Sequence, residues 1–364
     1  MTVVTALVFV GTLLVSTILV GLVRHVATRV DFVDRPAGRK AHARPVPYGG
    51  GVAIVLSVLA VMAVGMLMAR GIGDELLPGT VRSFLETHRA GLVSRTGRLG
   101  MILGGGLVLA VMGLVDDARG MSAWLKLAVQ VAVATGLAVA GVRITVFVQA
   151  PWVGGVLTVV WIVGIANAFN FLDNMDGLSA GVGLVVSVML AVVAMMTGNL
   201  FIGLASLVLA GALAGFLLYN FHPASIFMGD TGSLFVGYLL AVLAVENTFY
   251  VEGATRWAVV VLPLALFAVP IYDVVVVTII RLRRGQSPLQ GDRSHFSHRL
   301  LDRGLSTVSS VLVIYLATVA TASTAVVLVA GPQRGPILAL LQTVSVVGLL
   351  LVLEHISRPG RGGG

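Results

Sequence analysis

The sequence predicts an all-α fold, a polytopic transmembrane helical bundle of about 11 spans with its N-terminus outside and its C-terminus cytoplasmic. Three observations predict it. Hydrophobic residues make up 57% of the 364 residues and charged residues only 11%, against roughly 25% charged in soluble domains. Apolar stretches recur along the chain near the length of about 20 residues that a bilayer crossing needs. The basic residues divide unevenly between the two alternating sets of connecting loops.

The expected spans run at 3–23, 49–69, 99–115, 124–141, 153–170, 178–197, 200–219, 232–246, 257–280, 306–330 and 336–353. The first reads as a retained span, since no basic n-region or small-residue cleavage site accompanies it. The fifth and eighth are short and end in polar motifs. The ninth carries Pro263 and Pro270, which predict a kink, because proline removes a backbone donor. The chain is expected to be one integral membrane domain over 1–355, with a short disordered basic and glycine-rich tail at 356–364. The 44 glycines suit close helix packing in lipid. The absence of cysteine excludes disulfides, thiolate metal sites and cysteine nucleophiles.

With these spans, 16 of the 24 Lys and Arg fall in the loops at 24–47, 116–126, 171–177, 220–231, 281–304 and the tail. The positive-inside rule places that set in the cytoplasm. The loop at 70–98 counts against it with five arginines. The stretch Val81 to Leu92 within it reads as an interfacial amphipathic segment. The net charge of +8 sits beside apolar spans, which favours anionic lipid and phosphate partners over nucleic acid.

Five polar clusters all fall in the cytoplasmic set. Asp116-Asp117 closes a span, with Lys126 downstream. Two solvated helix-end acids would explain the pair. Adjacent carboxylates repel, however, unless a divalent ion offsets the charge. Asn167, Asn170, Asp173 and Asp176 form a polar stripe ending at Gly177, more than a helix C-cap needs. His222-Pro223 leads to Met228-Gly229-Asp230-Thr231-Gly232-Ser233, which precedes a span. It reads as a helix start with Ser or Thr as N-cap, whose backbone N–H groups face phosphate. Asp292 to Arg299 gathers Arg293, His295, His298 and Arg299, a set able to grip pyrophosphate. The first loop mixes Arg35, Arg39, Lys40, His42 and Arg44 with a rigid Pro45-Val-Pro-Tyr-Gly-Gly run; a positive-inside anchor is its simplest role. Asp273 lies within the ninth span, where a structural ion pair is as good a reading as a functional one. Carboxylates at the ends of separate apolar spans call for a hard cation. Magnesium, or manganese in its place, is expected.

Taken in order from Asp34 to Arg299, these motifs resemble the prenyl-phosphate N-acetylhexosamine-1-phosphate transferases, bacterial enzymes that start lipid-linked polysaccharide and cell-wall precursors. The Arg39-Lys-x-His-x-x-Pro-x-Pro loop resembles the N-acetylglucosamine branch more than the muramoyl-pentapeptide branch. The resemblance implies catalytic roles for Asp116, Asp117, Asp230 and His295, with Asp117 and Asp230 as Mg²⁺ ligands. It implies substrate contacts from Asn170, Asp173, Asp176, His298, Arg299, Lys126, Arg39, Lys40, His42 and Arg44. The family pattern often has a further histidine where Ser297 stands.

The implied reaction moves N-acetylglucosamine 1-phosphate from a UDP-sugar (a UDP-N-acetylhexosamine) to undecaprenyl or another polyprenyl phosphate. UMP leaves, in a first membrane step of envelope polysaccharide synthesis. Direct displacement and a covalent aspartyl-phosphate route both fit. The implied location is the bacterial cytoplasmic membrane, with the site on its cytoplasmic face; a homodimer is among the expected assemblies. The alternatives are phospho-muramoyl-pentapeptide transfer and, from a different class, secondary transport.

Overall fold

The computed structural model describes residues 1–35, 45–145, 150–247, 258–287, 294–331, 341–344, 346 and 348. Long apolar segments become helices because a bilayer leaves backbone polar groups nothing else to bond. The helices are α1 (Thr2–Arg29), α2 (Gly50–Ala69), α3 (Gly79–Ser94), α4 (Thr96–Arg119), α5 (Ala123–Val139), α6 (Pro151–Leu172), α7 (Leu178–Met196), α8 (Leu200–Asn220), α9 (Gly229–Glu246), α10 (Ala258–Leu266), α11 (Ala268–Arg283), α12 (Phe296–Leu301) and α13 (Thr307–Ala330).

The chain is a multi-pass membrane protein. Among the described residues, eight helices are long and apolar enough to cross a bilayer, or up to nine if a bent pair counts as one span. That is fewer than the expected 11. The fourth expected span is α5, an apolar helix of 17 residues that falls short of the length. The ninth is the bent pair: Val260–Leu266 and Ala268–Arg283 meet at 78°. Pro263 lies inside α10 and Pro270 in the first turn of α11, as the expected kink requires. The eleventh, 336–353, and the tail 356–364 lie mostly or wholly outside the described residues. The amphipathic stretch expected at Val81 to Leu92 is α3, whose one buried residue is Leu85.

Helix α9 is the centre of the bundle. Every residue from Thr231 to Ala244 is buried, and it packs against α4, α6, α2, α7 and α8. A helix apolar all round is one surrounded by protein. Small residues let its neighbours come close. A methyl group at Gly113 of α4 would lie 2.5 Å from the Asp230 carbonyl carbon. Gly51 of α2 meets Gly232 backbone to backbone. On the other side of the molecule, Gly211 and Gly215 of α8 receive the backbone of α1, and Ser16 Oγ donates to the Ala212 carbonyl at 2.7 Å. This is close small-residue packing of the kind that associates helices in lipid.

Because α4 to α9 alternate in direction, their ends form two separate polar layers. At one end Arg98 grips Glu246 at 2.5 and 2.6 Å and donates to the Gly141 carbonyl at 2.9 Å. Asn199 Nδ2 donates to the Glu246 carbonyl in the same layer. The opposite end gathers the sequence motifs. There the two-residue strands β1 (Val33–Asp34) and β2 (Val46–Pro47) pair antiparallel. The connection from α8 to α9 locks onto them: Phe227 N donates to Pro47 O, while Gly50 N and Gly51 N donate to Phe227 O and Met228 O. The rigid Pro45–Gly50 run is thus shaped by the segment that delivers Asp230.

Gly113→Val puts side-chain atoms where the α9 backbone stands, and backbone cannot yield as a flexible side chain does. The detergent-solubilised variant should lose at least about 2 kcal/mol of stability. Gly104→Ala faces open space and should melt with the wild type.

Candidate active site

Four carboxylates from three helix ends converge: Asp116 and Asp117 at the end of α4, Asp173 just past α6, and Asp230 in the first turn of α9. Each is held differently. Both oxygens of Asp117 serve the N-terminus of α9, accepting Asp230 N at 2.8 Å, Thr231 N at 3.1 Å and the Thr231 hydroxyl at 2.8 Å. The expected Ser or Thr N-cap is not what forms. The N-cap position is Met228, without a side-chain cap bond, and the carboxylate of another helix supplies the acceptor. The N–H groups of Asp230 and Thr231, expected to face phosphate, are therefore already engaged. Gly229 is part of this arrangement. Its φ is +70°, and a Cβ there would lie 2.6 Å from Asp117 Oδ2.

Lys126 Nζ lies between two acids, 2.7 Å from Asp116 Oδ2 and 2.9 Å from Asp230 Oδ2. Asp116 Oδ1 accepts Met121 N. Asp230 Oδ1 accepts Asn170 Nδ2 at 2.8 Å, and the same amide donates to Ser233 Oγ at 3.0 Å. One turn beyond Lys126 on α5, the buried Gln130 carbonyl accepts from Asn167 Nδ2. Asp173 has its carboxyl pushed up to about 8, first by burial and then by the charges of Asp230 and Asp117, with the Gly229 N–H pulling the other way. The Tyr48 hydroxyl is pushed up to about 12 by burial and then by Asp34, Asp117, Asp173 and Asp230, which places it against the same negative field.

Asp176 stands aside. Its Oδ2 is 2.8 Å from His222 Nδ1 and accepts Ala224 N at 3.0 Å. His295 is buried, with Nδ1 2.8 Å from Asp273 Oδ2 and Nε2 3.4 Å from Arg281 Nη2. A guanidinium only donates, so Nε2 accepts, and Nδ1 carries the proton given to Asp273. Asp273 Oδ1 also accepts Phe296 N at 2.7 Å, and Ser297 Oγ donates to Asn174 Oδ1 at 2.6 Å. Helix α12, which carries His298 and Arg299, is thereby docked on α11 and on the turn after α6. Arg39, Lys40, His42 and Arg44 lie outside the described residues.

Asp116, Asp173, Asp230 and Asn170 offer the all-oxygen donor set that a hard divalent ion takes. The surplus of carboxylate over Lys126 fits such an ion on charge grounds. As the side chains stand, no three His, Asp or Glu among the described residues form an ion-holding group, and an ammonium holds two of the candidate ligands.

Residues 99–248 match glycosyl transferase family 4. A Bacillus subtilis protein named "Probable undecaprenyl-phosphate N-acetylglucosaminyl 1-phosphate transferase" is 36% identical over 316 residues, 85% of this chain and 80% of the relative. The chain belongs to glycosyl transferase family 4. The decaprenyl-phosphate N-acetylglucosaminephosphotransferase of Mycolicibacterium smegmatis is 34% identical over 322 residues, 81% of this chain and 75% of its own length. The undecaprenyl-phosphate alpha-N-acetylglucosaminyl 1-phosphate transferase of Escherichia coli is 26% identical over 323 residues, 85% of this chain and 80% of its own. The family 4 match spans the carboxylate cluster with Lys126, Asn170 and His222, while Asp273, Arg281 and His295 lie beyond it.

Sequence reasoning missed Gln130 as part of this layer, and it gave His222, Tyr48 and Arg281 no partners. Gln130 had a signal: it lies four residues after Lys126 on an otherwise apolar helix, hence on the same face. Tyr48 sat inside a quoted motif without a role. His222 pairs with Asp176 across 46 residues, which no local pattern reports.

A carboxyl that keeps its proton to about pH 8 when folded, against 3.8 as the ordinary value, makes the folded chain bind more protons between those limits. Stability then falls as pH rises through that range. In chelator, the wild type should melt lower at pH 8 than at pH 6, and Asp173→Asn should flatten that slope.

Proposed function

We propose that this chain transfers N-acetylglucosamine 1-phosphate from a UDP-linked donor to a polyprenyl phosphate, releasing UMP, with Mg²⁺ as cofactor. The observation that carries this reading is the meeting of Asp116, Asp117, Asp173 and Asp230 with Lys126 and Asn170 at one end of the bundle. The relatives named for N-acetylglucosamine 1-phosphate transfer supply the substrate class. Their names lend no support to muramoyl-pentapeptide transfer or to transport, and a transporter site is expected near the bilayer midplane.

In the proposed reaction an oxygen of the lipid phosphate attacks the β-phosphorus of the donor. A new P–O bond forms, the P–O bond to the UMP oxygen breaks, and UMP leaves with that electron pair. The lipid phosphate is already an anion, so little proton removal is needed. Positioning and charge neutralisation are the main tasks left to the protein. Asp230, Asp116, Asp173 and Asn170 are the residues that would hold Mg²⁺; the bound ion supplies charge stabilisation for the pyrophosphate. Asp117 keeps the first turn of α9, and so Asp230, in place. Asn170 orients Asp230 through its amide. Lys126 and Arg299 bring positive charge and His298 an imidazole N–H for phosphate groups, and Asp273 with His295 fixes the short helix that carries His298 and Arg299. The bias of Lys and Arg toward this end's loops supports a cytoplasmic site in a bacterial inner membrane, with the N-terminus outside.

The test is turnover of labelled UDP-N-acetylglucosamine with undecaprenyl phosphate and Mg²⁺ by purified protein in detergent. UMP and a lipid-linked pyrophosphate sugar should form. Asp230→Ala should lower turnover by at least about a thousandfold while leaving the melting curve two-state. Release of UDP in place of UMP would mean transfer of the sugar without its phosphate and would defeat the reading.

A further inference from the structure

The ammonium of Lys126 stands where two of the candidate ion ligands face each other. It is 2.7 Å from Asp116 Oδ2 and 2.9 Å from Asp230 Oδ2. The other oxygen of each carboxylate is taken, Asp116 Oδ1 by Met121 N and Asp230 Oδ1 by Asn170 Nδ2. An ion binding these acids needs oxygens at about 2.0–2.1 Å. The oxygens that face each other across the gap are those the ammonium occupies. Two cations cannot share that space, because each repels the other where screening is weak. The lysine stem has four rotatable carbons and one compact charge, so the head can leave without moving the helix.

We propose that Lys126 is a tethered counterion that competes with the divalent cation for Asp230 and Asp116. It holds the two carboxylates together in the metal-free protein and yields them when the ion binds, which frees the ammonium for a substrate phosphate. This is a positioning role for Lys126 and rests on the Mg²⁺ reading above. The lysine does not add to metal affinity, as a supporting residue would; it lowers it.

The experiment measures Mn²⁺ binding to the full chain in detergent, without nucleotide or lipid, from the electron paramagnetic resonance signal of free Mn²⁺. Lys126→Met should bind Mn²⁺ at least about tenfold tighter than wild type, because a competing charge has gone. Lys126→Arg keeps that charge and should bind no tighter than wild type, and Asp230→Asn should bind weakly or not at all. Equal or weaker binding by Lys126→Met overturns the proposal. A second measurement needs no variant. Lys126 and Lys40 are the two lysines of the sequence, so trace acetylation read by mass spectrometry has an internal reference. Mg²⁺ should raise labelling of Lys126 relative to Lys40 several-fold; an unchanged or lower ratio overturns the proposal. Neither readout requires transfer, so the proposed reaction can fail while the competition holds, and the reverse.

Discussion

The clasp between Asp117 and the first turn of α9 is the constraint on which the site depends. A helix start leaves several N–H groups without partners, and here two of them, with the Thr231 hydroxyl, are met by one carboxylate from α4. The bond joins residues more than 110 positions apart and sets the place of Asp230 before any ligand arrives. It also stabilises a negative charge, since a helix start is an anion site. Once Asp117 is settled there, the neighbouring Asp116 faces Lys126, and the adjacent acids take different partners. Gly229 and Gly113 follow from the same requirement, because any side chain at either position would stand in the clasp or against the backbone it holds.

Much of the fold was legible because bilayer crossing is a matter of length and hydropathy. Ten of the expected spans correspond to helices, with α10 and α11 together serving as one; 336–353 lies largely outside the described residues. The number of crossings was harder to read, because it turns on helix length. The stretch 124–141 is apolar enough, yet α5 ends at Val139 after 17 residues. The convergence of polar motifs was legible through span parity, since alternating helices bring alternate loops to the same end.

Partnerships within that end were not legible. Nothing local in Asp116-Asp117 says that one acid holds a helix start and the other a lysine; that division depends on where α9 passes. His295 reads as a phosphate contact from its arginine-rich neighbourhood, and the structure engages both of its ring nitrogens with Asp273 and Arg281 of α11. The sequence leaves Asp273 equally open to a structural ion pair and a functional role, and its partner is an imidazole from the loop beyond. Asp176 followed the three-residue rhythm of Asn170 and Asp173, but the helix stops at Leu172. The turn after it directs Asp176 to His222.

The pair Arg98–Glu246 acquires a meaning beyond its own layer. It joins α4 to the last residue of α9, while Asp117 joins α4 to the first turn. Two helices bolted at both ends behave as a single strut that can neither slide nor swivel. The broken pair α10 and α11, with α12 docked on it, stands outside that strut and packs instead against α6, α7 and α13.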